Sequence, residues 1–103
     1  MKIAIFGGSF NPPHRMHEKI GLHLIENRIV DKVVYVPTGN KYNKKDLISA
    51  EHRYNMLKLM CAGKENLYVS DYELKNELIY TYQTLDYFKN IYVNDEIYFI
   101  CGT

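Results

Sequence analysis

The spacing of apolar and polar positions changes several times along the chain, and each change marks an element. Ile3, Ala4, Ile5 and Phe6 run without a polar residue, which predicts a strand over 3–6 buried on both faces, as in a parallel sheet. Gly7 and Gly8 stop it, and a backbone without side chains can turn sharply there and come close to a ligand. Pro12 and Pro13 stiffen the loop that follows, since each fixes φ and lacks an N–H. The spacing then becomes helical. Met16, Ile20 and Leu24 form one stripe with Gly21 and Ile25 beside it, which predicts a helix over 15–28. Asp31 and Lys32 mark a turn, and Val33-Val34-Tyr35-Val36 is a second apolar run closed by Pro37 and Gly39.

The second half repeats the alternation. Residues 38–46 read as a polar, lysine-rich loop. Ser49 is an N-cap for a helix over 50–62, which Gly63 closes. Leu67-Tyr68-Val69 is a third strand, and the mixed stretch 71–78 reads as loop. A third helix is expected over 81–90, with Leu85 and Phe88 inward and Thr81 near its cap. Ile97-Tyr98-Phe99-Ile100 is the fourth strand. The order β-α-β-α-β-α-β predicts one α/β domain over 1–103, a Rossmann-like doubly wound parallel sheet. The expected strand order is 3-2-1-4, truncated after the fourth strand. Strands one and four are then neighbours where the winding reverses, and ligands bind outside the carboxyl ends at that point. Gly7 to His17 and Gly102-Thr103 would meet there.

Composition narrows the partners. Of 103 residues, 47% are hydrophobic and 24% charged, ordinary for a globular protein, and the net charge of +1 argues against broad binding to nucleic acid. Cys61 and Cys101 are isolated, so no zinc or redox motif is expected, and two unpaired thiols fit a reducing cytoplasm. The first residues do not have the pattern of a signal peptide, and no apolar run is long enough to span a membrane.

The chemistry concentrates at the start of the first helix. A strand end that meets a helix amino terminus offers free N–H groups and the positive end of the dipole to an anion. His14 and His17 are three residues apart, about 60° round a helix and about 4.5 Å along it, so both rings can face one phosphate group. A bound phosphate would raise the imidazole pKa and make each ring a charged donor. A metal pair is a weaker reading, because no carboxylate or cysteine partner stands near. His23, His52, Glu18, Glu26 and Glu51 read as solvated helix positions, and no arrangement for covalent catalysis stands out.

The run Gly7-Gly8-Ser9-Phe10-Asn11-Pro12-Pro13-His14, followed by His17, resembles the amino-terminal signature of the nucleotidyltransferase superfamily. Within it, the run most resembles that of the nicotinate-nucleotide adenylyltransferases. Met16 stands where that family normally has glycine. The resemblance covers the whole chain but only about the first half of a family member. It implies that AMP passes from ATP to nicotinate mononucleotide, giving nicotinate adenine dinucleotide and pyrophosphate, with magnesium on the phosphates. It further implies catalytic roles for His14, His17 and Lys44, and an ATP site formed by Gly7, Gly8, Ser9, Phe10, His14, His17 and Gly102. Lys44 aligns with a family lysine, while Asn43 replaces the histidine before it. The aligned lysine gives Lys44 a contact with a substrate phosphate, and Tyr80-Thr81-Tyr82-Gln83-Thr84-Leu85 resembles the family segment that receives the nicotinate carboxylate, which assigns Tyr80, Thr81 and Thr84 to that substrate. Arg53 matches a family helix pattern and reads as an anchor for the loop. Two alternatives stand beside this. One is a nucleotidyltransferase acting on a pantetheine or alcohol phosphate; the other is an inactive nucleotide-binding fragment. A homo-oligomer is left open.

Overall fold

A computed structural model describes residues 1–10, 12–39, 49–75 and 81–101, the last residue of each of the final two stretches by backbone alone. The elements are β1 (Lys2–Gly8), α1 (Arg15–Glu26), β2 (Lys32–Pro37), α2 (Ala50–Cys61), β3 (Leu67–Val69), α3 (Tyr72–Lys75), α4 (Thr81–Ile91) and β4 (Glu96–Cys101). Among the described residues all three strand pairings are parallel and the order is β3-β2-β1-β4, as the alternation predicts. β1 is central because its side chains satisfy both faces. Ala4 and Phe6 point into one core with Phe10, Val33, Tyr35, Leu57 and Leu67, and Ile3 and Ile5 point into another with Val34, Val36 and Phe88. The first core is covered by α1 and α2, the second by α4.

Three expectations need correction. The strand does not stop before the glycines but runs through Gly7 and Gly8, which pair with Val36 and Pro37 of β2. The stretch read as loop contains the short helix α3, whose start is held by Ser70 Oγ accepting the Tyr72 N–H at 3.2 Å. The stripe of α1 is also turned. Met16 and Ile20 are 53% and 37% exposed, and the face laid on the sheet carries His17, Gly21 and Ile25. The reason lies in Tyr35. Its hydroxyl donates to the His17 carbonyl at 2.7 Å and fills the place where a Cβ on Gly21 would stand. A glycine that hydropathy counts as neutral is therefore the deepest residue of the helix.

Candidate functional site

The loop after β1 is shaped by a phenylalanine. Phe10 has φ 49, an uncommon conformation for a residue with a side chain. Its ring is buried and holds the turn, lying 5.5 Å from Phe6, 4.8 Å from His17 and 5.8 Å from Tyr35 between centroids. The carbonyl of Ser9 beside Phe10 accepts Arg53 Nη1 of α2 at 2.8 Å, and the same nitrogen lies 3.5 Å from Thr38 Oγ1. Arg53 is fully buried, and burial pulls its pKa down. The geometry gives it the part of an anchor that ties the loop ends of β1 and β2 together.

α1 begins with an unusual cap. His14 is the N-cap, in extended conformation, and its Nδ1 accepts the Met16 N–H at 3.2 Å. His17, at the third helical position, reaches back so that its Nδ1 accepts the His14 N–H at 3.0 Å. This is a capping box in which imidazoles do what Ser and Glu usually do. The two rings stack 4.0 Å apart at 29°. An Nδ1 that accepts cannot carry a hydrogen, so each neutral ring has its proton on Nε2. The pair therefore presents two Nε2–H donors side by side. His17 is half-buried, and its pKa is lowered first by burial and then by the charge of His14.

β1 and β4 end together, with Gly7 opposite Cys101, so this helix start sits at the reversal of the winding. A Cβ on Gly7 would stand about 3.1 Å from the Phe99 ring, which accounts for the glycine by packing within the sheet. Of the residues expected at the site, Gly7, Gly8, Ser9, Phe10, His14 and His17 are thus gathered at one place. Thr81 is exposed at the start of α4, whereas Thr84 is buried, its hydroxyl donating to Glu73 Oε2 at 2.7 Å. Lys44, Tyr80 and Gly102 lie outside the described residues. Sequence reasoning missed Tyr35 and Glu73; the only signal for Tyr35 was a glycine on the helix above it.

Residues 5–103 match the family described as cytidylyltransferase-like. The chain belongs to that family. Among curated relatives, a protein of Clostridium novyi (strain NT) is 40% identical over 104 residues, covering 98% of this chain and 52% of its own length. A second, from Aliarcobacter butzleri (strain RM4018), is 39% identical over 104 residues, covering 99% and 57%. Both carry the name "Probable nicotinate-nucleotide adenylyltransferase". Among solved structures, the nicotinic acid mononucleotide adenylyltransferase of Plasmodium falciparum, complexed with NaAD, superposes with a TM-score of 0.80. It is 25% identical, and the match covers 95% of this chain and 50% of that one. This cytidylyltransferase-like chain spans about half the length of the relatives it matches. No helix among the described residues is long and apolar enough to cross a membrane.

Proposed function

We propose that this chain is the nucleotide-binding part of an enzyme that moves AMP from ATP to nicotinate mononucleotide. The observation that carries the reading is the pair of Nε2–H donors on one helix start at the carboxyl end of the sheet. In the reaction the mononucleotide phosphate oxygen attacks the α-phosphorus of ATP in line. One P–O bond forms, the bond to the β-phosphate breaks, and pyrophosphate leaves with its electrons. Such chemistry needs positioning and charge neutralisation, with no covalent intermediate on the protein. His14 and His17 would hold the phosphates of ATP, with the amides around Gly8 to Phe10 and Gly102 lining the nucleotide. Lys44 adds charge. Magnesium would arrive as part of the substrate, on phosphate oxygens whose hardness suits it. Tyr80 and Thr81 would receive the nicotinate carboxylate, with Thr84 behind them. The names of the relatives and the ligand of the Plasmodium protein support the substrate pair. The isolated cysteines support a cytoplasmic setting.

Pyrophosphate release with ATP, magnesium and nicotinate mononucleotide, run beside nicotinamide mononucleotide, tests the proposal. Release that favours the acid is expected. Preference for a pantetheine or alcohol phosphate would overturn the substrate. Because the chain spans half of its relatives, a second reading is a segment that binds ATP without turning it over. ATP binding with no pyrophosphate from any acceptor would favour that reading.

A further inference from the structure

α3 and α4 meet through one stripe of side chains. Tyr72 of α3 stacks on Tyr87 with 3.9 Å between centroids and meets Phe88 edge-on at 6.5 Å. One position further, Glu73 Oε2 accepts the Thr84 hydroxyl at 2.7 Å across eleven residues of chain. Thr84, Tyr87 and Phe88 stand at i, i+3 and i+4, so they share the side of α4 that faces α3. Of these contacts, Glu73 makes the one nearest the amino end. Its carboxylate is partly buried; burial pushes its pKa up and the Thr84 bond pulls it down. α3 cannot easily retreat. A Cβ on Gly39, just after β2, would stand 2.8 Å from the Glu73 carbonyl oxygen, so α3 is wedged against the carboxyl end of the sheet.

Ring contacts alone are non-directional and would tolerate some rolling of α4. A hydroxyl-to-carboxylate bond is directional and stronger than a neutral one. We propose that Glu73 is a positioning residue that, through Thr84, fixes the first turn of α4 in the orientation that receives the mononucleotide. This rests on the function proposed above, and it gives Thr84 a new part. Its hydroxyl is committed to Glu73, so Thr84 links α4 to α3 and the substrate meets the first turn through Thr81. Slipping by one residue would turn the first turn by about 100° and carry Thr81 to another side.

The test compares Glu73→Ala and Thr84→Val, which break the bond, with Glu73→Gln and Thr84→Ser, which keep an acceptor or a donor. In the first pair, the KM for nicotinate mononucleotide should rise about tenfold, while kcat and the KM for ATP stay within about twofold. The double variant should be no worse than either single one, and Thr84→Ser should restore the wild-type KM. Hydrogen exchange gives a second readout that does not depend on turnover. Amides 85–88, bonded to first-turn carbonyls, should exchange about tenfold faster in the first pair, with β1 and β2 unchanged. Unchanged exchange and KM in Glu73→Ala would overturn the proposal. So would a parallel rise of both KM values with faster exchange throughout, which would mark a general loss of stability. A wild-type protein indifferent to the mononucleotide would overturn the substrate reading instead, and exchange at 85–88 would still decide the part of Glu73.

Discussion

His17 uses its two nitrogens for two different tasks. Nδ1 closes the cap of α1, which leaves Nε2 for the phosphate in the function proposed above. Protonation puts a hydrogen on Nδ1 and breaks the cap, which agrees with the lowered pKa. The unfolded chain takes up this proton at the ordinary value of 6.5 and the folded chain only at lower pH. This contribution to stability is therefore complete above 6.5 and is lost as pH falls through the folded value. Urea titrations across that window should show the loss in the wild type and a flatter profile in His17→Gln, where an amide supplies the acceptor without titrating. An equally steep profile in the variant would assign the slope elsewhere. The same variant should keep its stability at neutral pH yet turn over at least about a hundredfold more slowly, because one phosphate donor is gone. Turnover near wild type would remove His17 from the chemistry. The spacing of His14 and His17 was legible in the sequence. Which nitrogen faces outward was not, since that depends on where the backbone N–H groups of the cap point.

At the scale of elements, the seat of α1 is decided by one tyrosine and one glycine. Gly21→Ala should lower stability by about 1–3 kcal/mol, because the added methyl meets the Tyr35 hydroxyl. In a Tyr35→Phe background the same change should cost less, as the oxygen in its way has been removed. Urea unfolding of the four proteins measures this, and strictly additive effects would contradict the packing described. The pair also explains why periodicity placed the helix but misjudged its rotation. Met16 and Ile20 look like a core stripe when each residue is weighed by its own hydropathy, whereas the fit depends on a side chain arriving from β2. α3 escaped notice for a related reason. Four residues are too few for a period, and its contacts come from α4 and the loop after β2.

For the whole molecule, alternation alone was enough to give the strand order, because parallel crossovers leave few arrangements. What it could not show was how the loops are tied: the family pattern marked Arg53 as a loop anchor, and the structure adds its partners, the Ser9 carbonyl and Thr38 Oγ1. Arg53→Met should cost about 1–3 kcal/mol by leaving the Ser9 carbonyl without its donor. The freed loop should also bind ATP several-fold more weakly, as calorimetry would show. Undiminished affinity would make Arg53 a stability residue only. The pairing of β1 with both β2 and β4 has a consequence for biosynthesis. β2 emerges from the ribosome soon after β1, but β4 follows some sixty residues later, a delay of a few to about ten seconds at ordinary elongation rates. During that interval one side of the central strand is an unpaired apolar edge, the kind of surface that chaperones shield and that aggregates when they are scarce. The nascent chain should therefore be most vulnerable in the window before β4 is made.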